Sequence, residues 1–129
     1  MPRLYSHVDM RVRDRAKATA FYDAIFAPFG MVAEAGENFT CYTIEPEAPQ
    51  GDEEWFGFTE DRAMQPTPSR LSFHAASRDL VDRVAAAARG AGAGAIEGPS
   101  VCSEYSDNYY AVFFEDPDGN KLEVCCLAE

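Results

Sequence analysis

His7 and His74 are the only histidines in the chain, and with Glu123 and Arg70 they are the side chains best suited to chemistry. An imidazole with a near-neutral pKa can ligate a metal, act as a general base, or simply hydrogen-bond inside a cavity. Glu123 can serve as a ligand or a base. Arg70 carries a permanent planar cation whose N–H fork matches a carboxylate or phosphate, or it can form half of a structural ion pair. Trp55, Phe56, Phe58, Tyr105, Tyr109 and Tyr110 supply aromatic surface, most of it for packing. From this set Trp55, Phe56, Tyr105 and Tyr109 are the candidates to line a pocket for a planar ligand. Tyr105-Ser106-Asp107-Asn108 reads as a polar loop, a candidate lid or pocket edge. Cys41, Cys102, Cys125 and Cys126 contain no C-x-x-C pair, which argues against a zinc cluster. They read as reduced and partly buried, with adjacent Cys125 and Cys126 on opposite faces of a strand.

The elements that must position these groups form an approximate repeat. His7–Val12 alternates, with Val8, Met10 and Val12 on one face of a strand. Asp14 then offers a helix cap, followed by Ala18, Phe21, Ile25 and Phe29 at helical spacing and ended by Pro28 and Gly30. At an offset of 63 residues the pattern returns: Leu71, Phe73 and Ala75 on a strand, Ser77 as cap, then Leu80, Val84 and Ala88, ended by Gly90 and Gly92. Strands are expected over Met31–Ala35, Phe39–Glu45 and Glu54–Thr59 in the first half, with a loop at Pro46–Asp52. The second half repeats them over Ala95–Val101, Tyr109–Glu115 and Lys121–Leu127. Asp116-Pro117-Asp118-Gly119-Asn120 is the hairpin turn joining the last pair. Each half therefore reads βαβββ, with modules over roughly residues 4–62 and 69–128 and a proline-containing linker at Asp61–Ser69. The expected fold is α+β: two tandem modules forming a curved mixed sheet around a central cavity, helices outside, in one domain over 1–129. The acidic stretch Asp52-Glu53-Glu54 reads as a solvated edge.

Composition narrows the partners. The chain has 129 residues, 47% of them hydrophobic, enough for one ordinary core. A net charge of −11 repels phosphate backbones, so a nucleic-acid partner is not expected. No apolar run is long enough for a bilayer and no signal-peptide pattern opens the sequence, so no membrane partner and a cytoplasmic location are the expectation.

His7 in the first strand, Phe21-Tyr22 in the helix and Asp116-Pro117-Asp118-Gly119-Asn120-Lys121-Leu122-Glu123 together resemble the vicinal-oxygen-chelate superfamily, the glyoxalase, bleomycin-resistance and extradiol-dioxygenase type, in an uncharacterised glyoxalase-like branch. The resemblance spans Tyr5 to Leu127. In metal-dependent members one ligand comes from the first and last strand of each module, leaving positions open for two substrate oxygens. Carried over, His7 matches the first ligand and Glu123 the last. The first-half counterpart of Glu123 falls on Trp55 or Phe56, neither of which binds a metal. The second-half counterpart of His7 is Arg70, a guanidinium that does not coordinate. His74 would complete a set with His7 and Glu123, but it lies roughly 13 Å along the strand from Arg70. The expectation is that Arg70 pairs with Glu123 where a metal would otherwise sit.

The resemblance then implies two functions. One is a metal-free small-molecule binder, its ligand held between the modules or at the interface of a homodimer. The other is a divalent-metal-dependent lyase, isomerase or dioxygenase using His7 and Glu123 with nickel, zinc, iron or manganese. An accessory domain acting through its surface is a third. No cofactor is assigned from the residues themselves.

Overall fold

The alternating and helical patterns become regular elements in the computed structural model, which describes residues 4–44 and 54–128. In chain order these are β1 (His7–Val12), α1 (Arg15–Phe26), β2 (Val32–Ala35), β3 (Phe39–Thr43), β4 (Trp55–Glu60), β5 (Arg70–His74), α2 (Arg78–Gly90), β6 (Gly94–Val101), β7 (Tyr110–Glu115) and β8 (Lys121–Cys126). The expected loop Pro46–Asp52, together with Glu45 and Glu53, lies outside the described residues. Asp14 and Ser77 cap the two helices as expected, accepting from the backbone N–H of Lys17 and Leu80. α1 stops at Phe26, and one 3-10 turn carries Pro28 and Phe29 to the left-handed Gly30.

Each module folds its four strands into its own sheet, in the orders β1-β4-β3-β2 and β5-β8-β7-β6. The first strand of each module lies parallel to the last, so their side chains meet on one face. In the first sheet His7 stands opposite Trp55 and Asp9 opposite Gly57. In the second, Arg70 stands opposite Lys121 and Ser72 opposite Glu123. With His7 equivalent to Arg70 and Asp9 to Ser72, the counterpart of Glu123 is Gly57. That corrects the assignment to Trp55 or Phe56: the slip arises because the two modules differ in length between helix and last strand.

The two-module α+β architecture is the expected one, with the sheets unjoined and open rather than continuous. α1 is one of the elements that join the modules. It buries Ala18, Phe21, Tyr22, Ile25 and Phe26, and two of these rings contact the other module. α2 contributes Val81, Val84, Ala85 and Ala88, and both helices share a single core with the covered faces of both sheets. Phe26 sits at the junction, its ring 5.2 Å from that of Phe73 in β5 and 5.3 Å from that of Phe56 in β4. Phe21 reaches Phe114 in β7 at 6.3 Å.

The Asp116–Asn120 turn adds a polar tie across the same junction. Asp116 is buried, and its two carboxylate oxygens accept from the N–H groups of Asp118 and Asn120, the Asn120 amide and the Tyr22 hydroxyl, all between 2.6 and 2.9 Å. Gly119 takes a positive φ of 87°, which closes the hairpin. Asp118 then receives the Arg13 backbone N–H and guanidinium at 3.2 and 3.3 Å, while Arg13 Nε donates to the Met64 carbonyl. The motif that is most specific in the sequence thus locks β7–β8 to the start of α1.

Candidate functional site

Alternation leaves one face of each sheet without a helix. On the second sheet that face carries Arg70, Ser72 and His74 from β5, Lys121, Glu123 and Cys125 from β8, and Ala111 and Phe113 from β7. Cys102, Ala111 and Cys125, with Tyr109 and Phe113 against them, make a small apolar cluster separate from the main core. Within this patch Glu123 is a buried carboxylate, only 7% exposed, that accepts a hydrogen bond from the Tyr109 hydroxyl. Ser72 Oγ lies 3.4 Å from Cys125 Sγ. Tyr105, in the loop before β7, rests its ring 4.9 Å from that of Tyr109 and is itself exposed.

Arg70 does not pair with Glu123. Its strand register sets it opposite Lys121, and its guanidinium lies over the Phe113 ring, 4.8 Å from the centroid. Lys121 pairs instead with Glu115 at 3.3 Å. The expected ion pair does not form: the register sets Glu123 opposite Ser72, two residues along from Arg70, where it accepts from Tyr109, and the guanidinium rests on the Phe113 ring instead.

On the first sheet the uncovered face carries His7, Asp9 and Arg11 of β1 beside Trp55, Gly57 and Thr59 of β4. His7 and Trp55 stack with centroids 4.3 Å apart and planes 1° from parallel. Ser6 Oγ lies 2.9 Å from His7 Nδ1. Gly57 is required here: a Cβ would come within 2.9 Å of the Trp55 ring and 3.0 Å of the Thr40 carbonyl. The position equivalent to Glu123 is therefore spent on letting an indole lie across the sheet. Phe56, the other aromatic proposed for a pocket, points the opposite way into the core, as strand alternation demands for the neighbour of an outward Trp55.

The ligand-type residues do not fit a metal. Among the described residues no group of three or more His, Cys, Asp or Glu side chains stands close enough to hold one. His7 and Glu123 lie on different sheets, and the hydrogen bonds, ion pairs and ring contacts of each face stay within its own module. His74 shares the face of Glu123 but stands opposite Cys125, one side-chain row further on.

Burial and carboxylate neighbours raise several tyrosine pKa values. Burial and then Asp116 hold Tyr22 well above its ordinary value, burial and then Asp23 do so for Tyr42, and burial and then Glu123 for Tyr109. For Tyr110 the hydrogen bond to Asp82 comes first. Each neutral phenol is favoured by the fold, so the stability it contributes is present below the unfolded pKa of about 10 and is lost as pH rises past it. Phenolate absorbance during an alkaline titration is expected to lag behind that of urea-unfolded protein and to rise together with loss of the far-ultraviolet circular dichroism. Superimposable curves for folded and unfolded protein would contradict this assignment.

Comparison with known proteins agrees with the architecture. The model of the Glyoxalase/Bleomycin resistance protein/Dioxygenase superfamily matches residues 4–124. A glyoxalase/bleomycin resistance protein from Albidiferax ferrireducens T118 is 27% identical, with 96% of this chain and 98% of that one covered at a TM-score of 0.77. The fosfomycin resistance protein FosX from Mesorhizobium loti shares the fold at 18% identity, 98% and 93% coverage and a TM-score of 0.68. A point mutant of FosX from Listeria monocytogenes, complexed with Mn(II) and 1S,2S-dihydroxypropylphosphonic acid, does so at 20% identity, 96% and 90% coverage and a TM-score of 0.66. No curated protein sequence matches the chain.

Proposed function

Since the chain belongs to the Glyoxalase/Bleomycin resistance protein/Dioxygenase superfamily, we propose that it binds a small organic molecule on its uncovered sheet faces without a resident metal. One observation carries this reading: the two positions that should complete a ligand set with His7 and Glu123 hold Arg70, stacked on Phe113, and Gly57, lying under Trp55. A guanidinium has no lone pair to give and glycine has no side chain. The same substitutions create aromatic and cationic surface, which suits an organic ligand better than an ion. The proposal includes a homodimer, in which the His7–Trp55 face of one copy and the Arg70–Glu123 face of another wall a shared cleft. His7 and Glu123 then act as polar groups that orient the ligand.

Elemental analysis tests this directly. Untagged protein incubated with nickel, iron, zinc and manganese and then desalted is expected to retain only substoichiometric metal, with His7→Ala and Glu123→Ala no different. Sedimentation velocity on the same sample is expected to give a dimer. A stoichiometric metal that both substitutions remove would overturn the proposal in favour of a metal-dependent lyase, isomerase or dioxygenase. The FosX complex with Mn(II) illustrates metal binding on this fold.

A further inference from the structure

Arg70 is a cation in an acidic protein, with 22 Asp and Glu against 11 Lys and Arg, yet among the described residues it has no carboxylate partner. Lys121 pairs with Glu115, and Glu123 accepts from Tyr109 and forms no ion pair with Arg70. Arg70 is exposed with its guanidinium over Phe113, so its N–H groups remain available to receive two oxygens of one anionic group. Beside it lie the half-buried rings of Phe113 and Tyr109, packed over buried Ala111 and Cys125 and extended by the exposed ring of Tyr105.

We infer that the ligand of this face is an organic monoanion: a carboxylate whose oxygens meet Arg70 and whose apolar or aromatic body lies on Phe113, Tyr109 and Tyr105. The inference rests on the small-molecule reading above and adds the ligand's chemical class. Charge decides it from both sides. An ammonium ligand would have to stand beside the Arg70 cation and reach a Glu123 carboxylate that is buried and already accepts from Tyr109. A phosphate dianion would bring a second negative charge next to buried Glu123, in a protein whose net charge is already −11. A single carboxylate satisfies the open fork and leaves the Tyr109–Glu123 bond intact.

Benzoate, benzamide, phenyl phosphate and benzylamine share one apolar body and differ in charge, so they separate the terms. Titration calorimetry is expected to rank benzoate first. The side-chain Nε–H signal of Arg70, assigned through Arg70→Lys, is expected to shift with benzoate and not with benzamide. A charge-assisted pair of this kind is worth roughly tenfold to a hundredfold in affinity, so Arg70→Met should weaken benzoate by about that factor. Arg70→Met retains a chain long enough to cover Phe113, and Arg70→Lys, which keeps the charge without the fork, should recover only part of the binding. Equal binding of benzamide, stronger binding of phenyl phosphate or benzylamine, or no benzoate-dependent change at Arg70 would each overturn the inference while leaving a neutral, dianion or cation binder intact. Stoichiometric metal retention would instead overturn the reading on which it rests.

Discussion

Asp116→Ala is expected to destabilise the protein by about 3–4 kcal/mol, more than any single surface ion pair could. The carboxylate is 3% exposed and accepts four hydrogen bonds, so its loss strands the Tyr22 hydroxyl and the Asn120 amide away from water. A buried donor left without a partner costs roughly 1–3 kcal/mol on its own. The turn also loses the side-chain bonds that hold Asp118 in place, and with them the Arg13 contacts across the module junction. In a chain of this size the melting temperature should fall by roughly 10 °C. Tyr22→Phe removes one donor and keeps the ring, and should cost about 1–2 kcal/mol. Urea denaturation of the three proteins measures both effects. Asp116→Ala within experimental error of the parent would show that the turn closes the hairpin without coupling the modules.

Phe26→Ala tests the apolar half of that coupling and is expected to cost about 3–5 kcal/mol. The ring is 1% exposed and packs with Tyr22, Phe29, Tyr42, Phe56 and Phe73, so no neighbour can move far enough to fill the space it leaves. Phe73 belongs to the other module, and the substitution should therefore weaken both together. Trp55 is the only tryptophan and reports on the first sheet, whereas far-ultraviolet circular dichroism reports on both. The two probes should give coincident transitions in the parent protein and in the variant. Separate transitions in the parent would mean that the modules fold independently and that the shared core contributes little.

Both experiments concern residues whose types are plain in the sequence but whose partners are not. Tyr22 and Asp116 lie 94 residues apart, and no local pattern links them. The turn is legible at once, because Pro117 fixes φ early in it and Gly119 supplies the positive φ that closes it. Its role as a tie between modules is not legible, since that depends on where α1 comes to rest. The same division runs through the candidate site. The repeat matches His7 to Arg70 because each precedes its helix by the same interval, and the first position of each β1-like strand holds them. Matching Glu123 to Trp55 or Phe56 fails because the intervening strands and loops differ in length, and only the parallel register selects Gly57.

What the sequence determined by itself is the order of elements, the helix caps and the repeat, because these follow from the spacing of residue types along the chain. Trp55 outward and Phe56 inward follows from alternation once the strand's core side is known. Tertiary structure alone decided that Arg70 rests on Phe113, that Tyr109 takes Glu123 and that Gly57 makes room for Trp55. Each of these contacts depends on strand register or on the lie of a ring, about which spacing along the chain carries no information. Side-chain chemistry limits what a residue can do, but its neighbours across the sheet decide which of those things it does.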